Sequence, residues 1–162
     1  MLIVDTKNAP GAIGPYSQAY ETNGLVITSG QIPVDPATGA VAKGIAAQAD
    51  QSCRNVGAIL EAAGVGFDKV VKTTCFLADI ADFAAFNEVY AKYFTSKPAR
   101  SCVAVRELPK GVLCEIEAIA EAYAAFSAQR GAVCTPFRVR TAPFVCLRFQ
   151  FFILANFPSR RN

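Results

Sequence analysis

Arg100 and Glu115 are the two residues whose placement suggests chemistry first. They sit in residues 98–119, PARSCVAVRELPKGVLCEIEAI, a segment with strong strand character and awkwardly placed charges. The pattern predicts two short strands, 101–105 and 113–123, joined through the turn-forming break Leu108-Pro109-Lys110-Gly111. Alternation puts Arg100, Cys102 and Ala104 on one side of the first strand and Ser101, Val103 and Val105 on the other. In the second, Cys114, Ile116, Ala118 and Ala120 make a small apolar face, while Glu115 and Glu117 project from the opposite one. A guanidinium on one strand and a carboxylate on its neighbour are expected to meet at one pocket. The first can grip a small acid through two parallel charge-assisted bonds; the second can orient a water and take its proton. The same residues would also serve as a surface ion pair on a sheet edge.

Composition narrows the chemistry further. The 162 residues contain no histidine, which removes Ser-His and Cys-His nucleophiles and most zinc or iron chemistry. Six cysteines stand at 53, 75, 102, 114, 134 and 146, with no close pair. That spacing suits neither a structural zinc site nor a disulfide framework, so reduced, mostly buried thiols are expected. The formal charge of +3 hides an asymmetry. Residues 1–126 hold ten Lys/Arg against all thirteen Asp/Glu, whereas 127–162 hold six Arg and no acid. Nothing in the acidic body suggests nucleic-acid binding. The chain opens without a charged and then apolar leader, so a cytoplasmic location is expected, and its apolar run at 149–157 is too short to span a bilayer.

Several blocks then fall in order. Gly14-Pro15-Tyr16-Ser17-Gln18 and Ile27-Thr28-Ser29-Gly30-Gln31-Ile32-Pro33 come first, followed by Val71-Lys72-Thr73-Thr74 and Asp82-Phe83-Ala84-Ala85-Phe86-Asn87. P-A-R-S-x-V, L-P-x-G and E-I-E-A-I-A complete the set. Together they resemble the signature of the RidA family of reactive-intermediate (enamine/imine) deaminases over residues 1 to about 124. The resemblance implies a chorismate-mutase-like α+β fold and a homotrimer with sites in the clefts between subunits. It implies cofactor-free, metal-free hydrolysis of 2-aminoacrylate and 2-iminobutanoate to 2-ketoacids and ammonia. It maps Arg100 onto the residue that holds the substrate carboxylate and Glu115 onto the acid that positions water. Tyr16, Ser29, Gly30, Asn87 and Cys102 match positions lining the same pocket, Cys102 as a backbone contributor or passive wall. Glu117 is read as a solvated or interface-paired charge. The segment from Phe94 to Pro98 is short, which leaves substrate size open, and Cys114 replaces a commoner branched aliphatic. The competing reading is a non-catalytic trimer that binds a ketoacid or another metabolite in this cleft, or acts as a chaperone-like or regulatory protein.

The elements that must position these residues are readable from periodicity. Residues 1–6 suit an edge strand, and Asn23-Gly24 between two apolar runs predicts a hairpin of strands 17–22 and 25–29. Ala49, Cys53, Val56, Leu60 and Ala63 form one helical stripe, with Gln48, Asp50, Arg54 and Glu61 off it, and Gly64 stops that helix. Residues 70–77 read as a strand. Phe83, Phe86, Tyr90 and Phe94 share a face of a second helix that ends before Pro98. The order ββ-α-β-α-ββ predicts a mixed sheet with two helices on one face, the reverse being too apolar for water and best buried against copies of the chain. Residues 1–126 are expected to form the domain. The tail 127–162 has no counterpart in the resemblance and is expected to be a non-native or poorly ordered appendage.

Overall fold

The computed structural model describes residues 1–122. Six strands and two helices follow one another: β1 Leu2–Val4, β2 Ala19–Thr22, β3 Leu25–Thr28, α1 Ile45–Ala62, β4 Val70–Leu77, α2 Phe83–Tyr93, β5 Ala99–Ala104 and β6 Cys114–Glu121. The expectation for residues 127–162 lies outside the described residues.

The hairpin β2–β3 forms because Asn23 and Gly24 both take positive φ, 50° and 76°, the conformation whose twist matches antiparallel strands. Helix α1 buries its predicted stripe completely and adds Ile59, while Gly64, at φ 75°, ends it. Gln48 departs from expectation. It is buried because its amide bridges two loops, donating to the Ala42 carbonyl at 2.9 Å and accepting from the Leu113 N–H at 2.7 Å. Helix α2 is entered through a single 3-10 turn, Ile80–Asp82, whose Asp79 side chain accepts from the Ala81 N–H at 2.9 Å. Both helices lie on one sheet face, against Cys75, Leu77, Cys114, Ile116, Ala118 and Ala120, all buried. Burying side chains of the size of Ile59, Leu60 and Phe86 contributes roughly 1.5–3 kcal/mol each, and these three are 0–1% exposed.

The strand order is β1-β2-β3-β6-β4-β5, all antiparallel except the parallel pair β4–β5. This corrects one expectation. The strands of Arg100 and Glu115 are not neighbours, because β4 lies between them. The segment joining β5 to β6 crosses β4 instead of making a hairpin, and β6 takes the centre, where it pairs with both β3 and β4. The reason is burial: β6 alternates buried and half-buried residues almost to its end and fits only a central position, whereas β5 is largely exposed and fits an edge. The sheet's reverse face is apolar at several points, with Ile27 40% and Val103 46% exposed, beside half-buried Leu25, Phe76 and Ile119.

Candidate active site

Arg100 is positioned by α2. It stands opposite Thr73 on the helix-covered face, where its Nη1 donates to Asn87 Oδ1 at 2.7 Å. The guanidinium carbon lies 4.7 Å from the Tyr90 ring centroid and 5.6 Å from that of Phe83. Tyr90 is itself fixed, its hydroxyl 2.7 Å from that of Thr73 and its ring stacked 4.3 Å from Phe94. Burial pushes the Tyr90 phenol up to about 12, so it stays neutral. The bond to Asn87 and two cation–π contacts contribute roughly 1.5–3 and 0.5–2 kcal/mol. Against these, freezing an arginine costs about 2 kcal/mol of rotamer freedom. The balance favours a guanidinium held in place before any ligand arrives. No carboxylate pairs with it among the described residues. Arg100, Asn87, Tyr90, Phe94 and Lys97 line a cleft of about 650 Å³.

Cys102 follows on the same face as Arg100, as the alternation predicts, opposite buried Cys75. Burial raises its thiol above the ordinary range and Arg100 only partly offsets this, which makes it a poor nucleophile. The four described cysteines are free thiols, three of them buried.

Glu115 is positioned by backbone. Between the pairs Ile27↔Ile119 and Gln31↔Ile116 one edge carries three residues and the other two, so the chain bulges at Thr28-Ser29-Gly30. The Thr28 hydroxyl fills the gap by accepting from the Ala118 N–H at 2.9 Å. The bulge brings Gly30 against Glu115 so closely that a Cβ there would lie 1.8 Å from Glu115 Oε1. Glycine is required here for Glu115 to keep this position. Burial, and then the neighbouring Glu117, raise the Glu115 carboxyl above the usual carboxylate range. Glu117 is itself half-buried.

Tyr16 and Ser29 share a cleft of about 790 Å³ with Gly14, Pro15 and Ile27, and Tyr16 and Gly30 line a smaller cavity of about 210 Å³. The loop carrying Tyr16 is anchored by buried Gln18. Its Oε1 accepts from the Thr6 N–H at 2.6 Å, while its Nε2 donates to the Thr6, Ala9 and Pro10 carbonyls. Ser29 Oγ donates to the Ser17 carbonyl at 2.6 Å.

The predicted residues thus form two groups. Arg100, Asn87 and Cys102 gather around α2 and β5. Tyr16, Ser29, Gly30 and Glu115 gather at the β3 bulge and β6. Within one protomer the two do not converge, since Glu115 stands opposite Phe76 on the reverse face and Arg100 opposite Thr73 under the helices. Phe83 and Tyr90 were read from sequence only as an aromatic stripe. Their spacing around Asn87, four before and three after, was the available signal that this stripe also faces an arginine. Among the described residues no cluster of three or more His, Cys, Asp or Glu is arranged to hold a metal, and no helix is long and apolar enough to cross a membrane.

Comparison with known proteins matches this architecture. A family model described as Endoribonuclease L-PSP fits residues 6–122. The chain is 57% identical over 121 residues to the 2-iminobutanoate/2-iminopropanoate deaminase of Salmonella typhimurium, an alignment covering 72% of this chain and 94% of that protein. The crystal structure of E. coli TdcF with bound serine superposes with a TM-score of 0.74 at 47% identity, over 76% of this chain and 100% of the other. The E. coli YjgF gene product gives 0.73 at 51% identity, over 76% and 100%. With the match spanning most of its length, the chain belongs to the Endoribonuclease L-PSP family, also known as YjgF/RidA.

Proposed function

We propose that this protein is a cofactor-free hydrolytic deaminase of small 2-imino acids, working as a homotrimer whose sites are shared between subunits. The observation that carries the proposal is the pre-oriented Arg100 guanidinium, held by Asn87 and Tyr90 with no acidic partner among the described residues. Such a fork is matched to a carboxylate. The 54–57% identity to proteins named 2-iminobutanoate/2-iminopropanoate deaminase supports the imine as the group beside that carboxylate.

The separation of Arg100 from Glu115 favours a shared site. β5 is one of the two edge strands of the sheet among the described residues, and the reverse face bearing Glu115 also bears exposed Ile27 and Val103. A second copy seated on that face would bury the apolar residues and bring its edge arginine to the first copy's glutamate. A substrate gripped by Arg100 then presents C2 to a water held by Glu115. The carboxylate takes the water's proton as oxygen bonds to C2, and the proton passes to nitrogen. Collapse of the carbinolamine breaks the C–N bond, leaving a 2-ketoacid and ammonia. A carboxyl with a raised pKa suits this two-way traffic, being a stronger base than an ordinary carboxylate. Tyr16 and Ser29 offer hydroxyls to the substrate from the same side as Glu115. Endoribonuclease activity, which the family description names, gains no support from an acidic body without histidine.

The test couples threonine dehydratase to this protein and follows decay of the released imine. Wild type accelerates the decay, and Arg100→Ala loses about two to three orders of magnitude in rate, the value of two charge-assisted bonds. Glu115→Ala loses rate while still binding the 2-ketoacid. Equal decay with wild type and Arg100→Ala refutes catalysis and leaves a metabolite-binding protein.

A further inference from the structure

The cleft that holds Arg100 is larger and more positive than a short imino acid needs. Its volume of about 650 Å³ exceeds what a four-carbon imine fills, and its lining includes Ala91, Phe94, Thr95, Lys97 and Pro98 beside the arginine. Arg100 and Lys97 are the two charged residues in that lining, and both are cations. Asn87 and the aromatic faces hold Arg100 in place, whereas the exposed Lys97 side chain makes no hydrogen bond or ion pair among the described residues. Lys97 also sits at φ 54°, a left-handed conformation that a lysine adopts at a cost, with its N–H donated to the Phe94 carbonyl at 3.2 Å. The short connection between α2 and β5 thereby turns tightly enough to set this lysine in the lining of the arginine cleft.

We propose that Lys97 is a specificity-determining residue that fits this site for 2-imino dicarboxylates, the α-carboxylate lying on Arg100 and the distal carboxylate on Lys97. The inference rests on the deaminase reading and extends it to a substrate class. The reaction is unchanged: one water adds across C=N, the C–N bond breaks, and the dicarboxylic imine gives a 2-oxo dicarboxylate and ammonia. Phe94 and Ala91 pack against the methylenes between the two charged ends.

The test generates imines in situ from glutamate and from 2-aminobutyrate with flavin amino-acid oxidases and measures their removal by trapping with semicarbazide. Wild type is expected to process the glutamate-derived imine at least as efficiently as the shorter one. Lys97→Glu is expected to lower the dicarboxylate-to-monocarboxylate ratio of kcat/KM by about tenfold through charge reversal, and Lys97→Arg to restore most of it. Lys97 is exposed, so these variants are expected to fold, and intact sheet and trimer signals check this. A ratio shifted by less than about twofold in Lys97→Glu overturns the assignment while leaving the deaminase reading intact. Failure of wild type to accelerate loss of either imine overturns both.

Discussion

The two halves of the candidate site are built by different means. Around Arg100 the work is done by side chains: an amide, two aromatic rings and a buried hydroxyl pair on α2 and β4 hold one guanidinium. Around Glu115 it is done by backbone: a bulge in β3, a threonine hydroxyl standing in for a carbonyl and a glycine without room for a Cβ. The first half fixes a charge in place, as the proposed grip on a carboxylate requires. The second leaves a carboxyl half-buried with its pKa raised by burial and by Glu117, which suits the proton exchange proposed for it. The difference teaches that holding and reacting place opposite demands on a site.

Among substitutions at supporting residues, breaking the backbone-built half should have the largest effect. Gly30→Ala puts a methyl into Glu115 Oε1, and since that contact is with the end of a flexible side chain, the carboxylate swings away while the fold survives. Imine hydrolysis is expected to fall about a hundredfold, the usual worth of a positioned acid–base group. An unchanged melting temperature beside the lost rate would show that chemistry, not folding, was hit. On the side-chain half, Asn87→Ala removes one of several supports of Arg100. A roughly tenfold rise in KM with kcat little changed is expected, the value of one charge-assisted bond. Equal falls in kcat and kcat/KM would instead place Asn87 at the reacting atoms.

The smallest effect sharpens the electrostatic contrast. Glu117 adds to burial in raising the Glu115 carboxyl, so Glu117→Gln should move the acid limb of the kcat/KM profile to lower pH. A limb that stays put would remove Glu117 from the tuning. For stability the sign is fixed too. The fold favours the protonated Glu115, so that contribution is full below the unfolded carboxylate pKa and is lost as pH rises through the raised one.

Much of this was legible from residue types and spacing. The stripes of α1 and α2, the Asn23-Gly24 hairpin and the shared face of Arg100 and Cys102 all follow from local periods of 3.6 and 2. The motif blocks led to the right family and to an α+β sheet covered by helices on one face. The insertion of β4 between β5 and β6 was not legible, because consecutive strands pair often enough that Leu108-Pro109-Lys110-Gly111 reads as a hairpin turn. Nor was the contact of Gly30 with Glu115, set by a one-residue bulge between segments 85 positions apart. Tyr90 was visible as a core aromatic; its second duty, beneath the guanidinium, depends on where β5 docks. The clearance between charges on opposite sheet faces has no local signature at all.

The most direct test uses subunit mixing. The Arg100→Ala and Glu115→Ala variants, each expected to be nearly inactive alone, are unfolded together and refolded at equal amounts, and imine hydrolysis is measured. A site completed by two copies predicts recovery to about a quarter of the wild-type rate, because that fraction of interfaces draws an intact arginine from one subunit and an intact glutamate from the next. A mixture no more active than its separate components would contradict the account.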